Sequence, residues 1–149
     1  MNVGCTRRAF AGGFAVALLP LAANATPETM REAIREVTGD RAVRGGRIVL
    51  DIQPLIDNGN TVPMRVRVES AMTDGDRVTA LHVFNEKNPQ PHVLSVRFGP
   101  RAGRAEIATR IKLADTQKVV AVAEMSDGSL WTAGIDVIVT IAACIEGLE

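Results

Sequence analysis

The sequence predicts an all-β protein, an immunoglobulin-like antiparallel β-sandwich preceded by one short helix. From Arg47 onward, hydrophobic residues recur at every second position, which is the period of half-buried strands. The runs are short, and turn signals such as Asn58-Gly59, Asp74-Gly75 and Asp127-Gly128 separate them. Seven or so short strands with regular turns favour this sandwich, although the Cys…Trp…Cys spacing of antibody domains is absent.

The helix is predicted in the stretch TPETMREAIREVTG. Thr26 is suited to the N-cap, Pro27 to the first helical position and Gly39 to the end of the helix. Three apolar residues recur at helical spacing: Met30, Ile34 and Val37. We expect this stripe to face the protein's own core rather than a partner, because amphipathic helices usually pack that way. The next stretch, DRAVRGG, is interpreted as a charged connection that ends in glycine.

The clearest strand is VPMRVRVE. Its alternation places four apolar residues on one face: Val62, Met64, Val66 and Val68. The stretch AEIATRIKL repeats the pattern with a second set: Ile107, Thr109, Ile111 and Leu113. Further strands are predicted at RIVLDI, VTALHVF, VLSVRF, KVVAVAEM and GIDVIVTIAA. No interior linker or repeat indicates a second domain.

Residues 1–25 have the features of a cleaved export signal. An arginine pair, Arg7-Arg8, precedes an apolar stretch and the small-residue pattern Ala23-Asn24-Ala25. The apolar stretch is shorter than the ~20 residues that a membrane-spanning helix needs, so we expect no membrane anchor after cleavage. The stretch TRRAF resembles a twin-arginine motif, which directs export of folded proteins. We therefore expect a periplasmic domain formed by residues 26–149.

Composition and motifs exclude several functions. The chain has 17 basic and 17 acidic residues, and loss of the arginine pair leaves a slightly acidic domain, which argues against nucleic-acid binding. His82, placed in an apolar strand, and His92, placed in a connection, are too few for a metal site. No phosphate-binding loop or nucleophile elbow is present. We expect no cofactor and no catalytic residue.

Cys144 is the single cysteine of the predicted mature domain. An unpaired thiol is unusual in an oxidising compartment. Two interpretations stay open on the residues alone: Cys144 is a small buried hydrophobe at the end of the last strand, or it is presented to another protein from a chain end that has few contacts.

Several stretches together resemble the SoxY family, the sulfur-carrier subunits of the periplasmic thiosulfate-oxidising Sox system. The most specific are FNEKNP, TRIKLADTQ and AEMSDGSLW, and the similarity extends from GRIVLDI to VTIAAC. The resemblance implies an immunoglobulin-like sandwich, a heterodimer with a SoxZ-like subunit, and covalent attachment of thiosulfate-derived sulfur to Cys144. It also implies haem-containing and metal-dependent partner enzymes that load and hydrolyse the adduct, so that the carrier is not itself an enzyme.

The C-terminus departs from the family pattern. SoxY carriers typically end in Gly-Gly-Cys-Gly-Gly, whereas this chain ends in AACIEGLE. Glycines would give the arm access to otherwise closed φ values and keep it slim. The alternative hypothesis is therefore a SoxY-like periplasmic binding protein, for example one that serves a dehydrogenase, whose cysteine carries no sulfur. Lys87, Asn88, Arg110 and Asp127 lie in the family-like stretches and are assigned to strand ends and turns, with docking as the alternative role.

Overall fold

The computed structural model describes residues 25–141. These residues form one helix and nine strands: α1 (Pro27–Thr38), β1 (Val43–Gly45), β2 (Ile48–Asp51), β3 (Leu55–Asn58), β4 (Val62–Val68), β5 (Val78–Asn85), β6 (His92–Arg97), β7 (Ala105–Ile111), β8 (Gln117–Met125) and β9 (Leu130–Ile141). Residues 1–24 and 142–149 lie outside the described part of the chain, and with them lie the export signal and Cys144.

The strands form two packed sheets, which confirms the predicted all-β sandwich. The larger sheet has the order β1-β9-β8-β5-β6, with β3 pairing the second half of β9. The smaller sheet has the order β2-β4-β7. The core lies between them and takes in the four alternating residues of β4, all buried as predicted: Val62, Met64, Val66 and Val68.

The helix forms where the sequence predicts it. The Thr26 hydroxyl accepts a hydrogen bond from the Thr29 backbone N–H at 3.2 Å, and Gly39 follows the last turn with φ +60°. The predicted stripe of Met30, Ile34 and Val37 packs on the outer face of the larger sheet against Phe84 and Val122. The stripe therefore faces the protein's own core, as expected.

Three details differ from the sequence predictions. The stretch interpreted as a charged connection contains strand β1, and β3 was not predicted at all. Both strands pair with β9 in parallel, so the sandwich is not purely antiparallel. His92, which was placed in a connection, is the first residue of β6. Thr109 of β7 was placed on the apolar face but is exposed, because that strand lies at the edge of the smaller sheet.

The two ends of the sandwich carry different structures. We call one the exit end: β9 finishes there, beside the β5–β6 turn (residues 86–91) and the β7–β8 connection (residues 112–116). We call the other the hairpin end: it holds the β8–β9 hairpin (residues 126–129) and the turn at Gly46-Arg47. No helix among residues 25–141 is long and apolar enough to span a bilayer.

Candidate functional site

Strand β9 leads directly to the predicted attachment residue. Cys144 lies outside the described residues, three positions beyond the end of β9 at Ile141. Val137 and Val139 of β9 are buried, whereas Ile138 between them is exposed on the opposite face and Ile141 at the end of the strand is exposed as well. Strand β9 therefore contributes buried side chains to the core as far as Val139, two residues before its end.

Hydrogen bonds hold β9 up to its final residue. The Ile141 carbonyl accepts a hydrogen bond from the Gly59 N–H at 2.9 Å. The Thr140 hydroxyl donates to the Asp57 carbonyl at 3.2 Å, and the Val139 N–H donates to the Thr116 hydroxyl at 3.0 Å. Because partners bind it from both sides, the strand does not end in a frayed segment within the described chain.

Asn88 joins the two family-like stretches FNEKNP and TRIKLADTQ at the exit end. Its side-chain N–H donates to the Lys112 carbonyl at 2.8 Å. Its side-chain oxygen accepts hydrogen bonds from the Ala114 N–H and the Gln117 amide, each at 3.0 Å. The buried Gln117 in turn accepts from the Lys87 N–H at 2.9 Å. One asparagine thus fixes the β5–β6 turn against the β7–β8 connection.

An ion pair covers the same network on the solvent side. Lys87 Nζ lies 2.9 Å from an Asp115 carboxylate oxygen. The hydrogen bond from Lys87, together with one from the Thr116 N–H, holds the pKa of Asp115 below its usual value. Both side chains are exposed, so this pair contributes little to stability.

The residues assigned to turns and strand ends do not form one site. Lys87, Asn88 and Arg110 lie at the exit end. Asp127 lies at the hairpin end, where its carboxylate accepts hydrogen bonds from the backbone and hydroxyl of Ser129 at 2.8 and 2.6 Å. These bonds lower the pKa of Asp127.

The two histidines share a serine on the outer face of the larger sheet. The Ser95 hydroxyl bonds to His82 Nδ1 and, at 2.7 Å, to His92 Nε2. The other nitrogen of His82 lies 3.1 Å from Glu124, which also meets Arg41 at 3.4 Å. The network ties three strands to the chain just after α1. No cluster of three or more potential metal-ligating side chains occurs among residues 25–141.

Sequence analysis missed Asn85 and Gln117, two buried polar residues at the exit end. A signal for Asn85 existed. Leu81, Val83 and Asn85 occupy alternate positions of β5, so the period of two places the asparagine on the core-facing side. Gln117 carries no such signal, because its partner Asn88 is 29 residues away in the sequence.

An exposed apolar pair lies near the end of β9. Leu55 and Ile138 are register partners on β3 and β9, with 56% and 54% of their surfaces exposed. Directly opposed residues of neighbouring strands lie on the same face of a sheet. The pair is therefore a small apolar surface within a few residues of the point where β9 ends.

The hairpin end is held by an aromatic and paired charges. Trp131 packs partly on the core, and the guanidinium groups of Arg44 and Arg47 lie 6.0 and 5.2 Å from its ring centroid. Arg47 also forms a 2.7 Å ion pair with Asp76. The Arg47 hydrogen bond, with a second one from the Ala71 N–H, lowers the pKa of Asp76.

The fold and the exit end define an immunoglobulin-like sandwich in which strand β9 is hydrogen-bonded up to its final residue, three positions before Cys144. This chain belongs to the SoxY family: the family model described as sulfur oxidation protein SoxY matches residues 34–144. The match includes both stretches joined by Asn88 and finishes at Cys144.

Solved structures support the same assignment. The sulfur carrier protein SoxY from Chlorobium limicola f thiosulfatophilum is 26% identical, with a TM-score of 0.64 and coverage of 76% of this chain and 98% of that chain. A superoxide reductase (neelaredoxin) from Ignicoccus hospitalis is 14% identical, with a TM-score of 0.56 and coverage of 63% and 80%. At that identity only the fold is shared. No curated protein matches the chain.

Proposed function

We propose that this protein is a periplasmic sulfur carrier that holds intermediates of thiosulfate oxidation covalently on Cys144. The observation that carries the proposal is the SoxY family match, which extends through the sandwich to the cysteine itself. The likeness to the Chlorobium sulfur carrier protein supports it. In this role the protein performs no turnover alone, and partner enzymes act on the sulfur that it carries.

The proposed chemistry forms an S–S bond at the cysteine sulfur and then replaces the S–S bond of the sulfonate sulfur by an S–O bond. The Cys144 thiolate and thiosulfate form Cys–S–S–SO3⁻ with loss of two electrons, which a haem-containing partner accepts. Water then cleaves the bond between the outer sulfur and the sulfonate group, releasing sulfate and two protons in all and leaving a cysteine persulfide anion. An ordinary thiol has a pKa of about 8.5 and is only a few per cent thiolate near neutrality, so the partner enzymes must activate it.

Anchoring of β9 supports delivery of the cysteine from a fixed origin. The strand is hydrogen-bonded until Ile141, three residues before Cys144. Three extended residues span at most about 11 Å, which limits how far the sulfur reaches from the sandwich. A partner enzyme must therefore approach the exit end closely.

We propose that a SoxZ-like subunit contacts the exposed pair Leu55 and Ile138, which lies beside the origin of the arm. Replacing Leu55 by Glu should abolish co-purification of the small subunit while leaving the fold intact, because the side chain is exposed. Val49→Glu on β2 of the other sheet is the matched control, since Val49 is also an exposed apolar residue. If both variants retain the small subunit equally, the pair Leu55 and Ile138 is not its binding surface.

Residues 1–25 support the periplasmic location, because they have the arginine pair, apolar stretch and A-x-A pattern of an exported protein. Folding before export suits a protein that binds a second subunit. The small subunit would then be exported across the membrane together with this protein.

The test is intact-mass analysis of the protein recovered from cells grown on thiosulfate, followed by sequencing of the modified peptide. We expect a sulfur-containing adduct on Cys144 that reductant removes, and none on a Cys144→Ala variant. Absence of any adduct, with normal thiosulfate oxidation by the Cys144→Ala strain, would contradict the carrier role and favour the binding role.

A further inference from the structure

The sandwich has an open side between the edges of its two sheets. Among the described strands, β6 is the edge of the larger sheet and β7 is an edge of the smaller one. A cleft of about 600 Å³ lies between these two strands at the exit end. Its lining includes Asn85, Asn88, His92, Thr109, Arg110 and Lys112.

The charge of the cleft is positive. Arg110 and Lys112 both line it, and no acidic residue of the described chain does. Neither cation takes part in the ion pairs found within residues 25–141. Guanidinium and ammonium groups form their strongest hydrogen bonds with anionic oxygens. The two side chains are therefore available for an anion.

One residue of the cleft lining, Asn85, carries a buried side-chain amide. Asn85 is fully buried, and neither its side-chain nitrogen nor its side-chain oxygen has a hydrogen-bond partner within residues 25–141. Burying an amide without a partner costs free energy, and most buried polar groups in native proteins are paired. A ligand oxygen that accepts from the Asn85 amide would remove this cost.

The cleft is built on a fixed frame. Asn88 hydrogen-bonds the β5–β6 turn to the β7–β8 connection, and the Asn85 backbone N–H donates to the Pro91 carbonyl at 2.8 Å. The donors and cations therefore belong to segments that are joined to each other. Such preorganisation lowers the cost of binding a small ligand.

We propose that this cleft binds a small divalent oxyanion, with Arg110 and Lys112 neutralising its charge and the Asn85 amide donating to one oxygen. Sulfate and thiosulfate are the members of this class that the proposed function brings to the protein, and that choice rests on the proposed function. The anion site itself rests on the cleft, on two cations outside the ion pairs found in residues 25–141, and on an amide with no hydrogen-bond partner in that same range.

The experiment is an NMR titration of the ¹⁵N-labelled full chain carrying Cys144→Ala, which prevents covalent chemistry at the thiol. Sodium sulfate, thiosulfate and phosphate are each compared with sodium chloride at matched ionic strength. We expect saturable shifts of the Asn85 side-chain amide and of backbone amides around residues 88–94 and 109–112 with the divalent anions, and no saturation with chloride. Shifts that spread over the surface without saturation would overturn the proposal.

Two variants and a control locate the site. Arg110→Gln should weaken binding by about tenfold, as expected for loss of one charge-assisted hydrogen bond. Arg67→Gln removes the same charge from β4, outside the cleft, and should change affinity less than twofold. If both variants weaken anion binding equally, the affinity depends on the net charge of the protein and not on the cleft, and the proposal is overturned.

Asn85→Leu separates a binding role from a structural one. The substitution removes the buried polar atoms and keeps the branched shape of the side chain, so we expect weaker anion binding together with a higher midpoint of thermal unfolding. Unchanged anion affinity with a lower midpoint would assign Asn85 a purely structural role and overturn the proposal. Sulfur loading on Cys144 is measured separately by mass, so failure of the anion site and failure of the carrier role are distinguishable.

Discussion

The hairpin end and the exit end of the sandwich differ in how their charged and polar side chains are paired. At the hairpin end, Trp131 lies against two guanidinium groups and Asp76 pairs with Arg47. At the exit end, Arg110 faces an open cleft and the buried amide of Asn85 has no partner in the described chain. Unpaired buried polar groups destabilise a fold. The contrast is expected if the hairpin end mainly stabilises the sandwich and the exit end carries the proposed anion site.

The largest effect is expected from Trp131→Ala. The substitution removes a half-buried aromatic and both cation–π contacts, so the free energy of unfolding should fall by about 2 to 4 kcal/mol. Urea unfolding measures this change. Because Trp131 is at the hairpin end, anion binding and sulfur loading of the folded protein should stay unchanged, and loss of either would show that the two ends are coupled.

A smaller loss of stability is expected from Asn88→Ala at the exit end. Three hydrogen bonds are lost, and the buried Gln117 amide nitrogen keeps only its bond to the Asp115 carbonyl, so the free energy of unfolding should fall by about 2 kcal/mol. Anion binding should weaken as well. Asn60→Ala is the control, because that side chain makes a single 3.1 Å bond to Asn58. A similar loss of stability in both variants would show that the hydrogen bonds of Asn88 do not hold the exit end together.

A pair of substitutions at Arg47 tests the strain stored at the hairpin end. Arg47 has φ +57°, a conformation that glycine adopts without steric cost. Arg47→Ala loses the ion pair and the ring contact and should destabilise by about 1 kcal/mol. Arg47→Gly loses the same contacts but relieves the strain, so it should be more stable than the alanine variant by about 0.5 to 1 kcal/mol. Equal stabilities would show that the turn tolerates Arg47 without strain.

Acid should affect the two ends at different pH. Burial, and then the charge of His82, lower the pKa of His92 at the exit end below 6.5, so the unfolded chain binds more protons there. Its contribution to stability is present above pH 6.5 and is lost as the pH falls through the lowered value. The pKa of Asp76 lies below 3.8, so the hairpin end loses its contribution only below that pH.

The measurement is the free energy of unfolding at pH 5.5 and 7.5 for the wild type and for His92→Gln. The variant should lose less stability on acidification than the wild type does. An identical pH dependence of the two proteins would contradict the shift at His92.

Local patterns predicted most of the fold. The alternation of buried residues in β4 and the N-cap of α1 depend on residues that are close in the sequence, and both predictions are confirmed. Strands β1 and β3 were missed because each is short and mostly exposed, and its partners lie on β9 some 80 residues away. A parallel pairing of that kind leaves no trace in the nearby sequence.

The candidate site was predicted less completely. Cys144 was predicted from the sequence as the one thiol of the predicted mature domain and from the family-like stretches around it. The Asn88 network was not predicted, because its hydrogen bonds join residues 24 to 29 positions apart. The cleft was missed for the same reason: Asn85 and Arg110 meet only when the edges of two different sheets lie side by side.

Strand β9 also determines how the molecule responds to mechanical load. A partner that pulls on the C-terminus pulls along β9, whose last residues are bonded to β3 on one side and whose earlier residues are bonded to β8. A force along the strand loads many of these bonds in shear, so they must break together rather than one at a time. Forced unfolding is governed by the unfolding rate rather than by the equilibrium free energy. The resistance of β9 to such a force is therefore set by how fast its bonds break and not by the equilibrium free energy of unfolding.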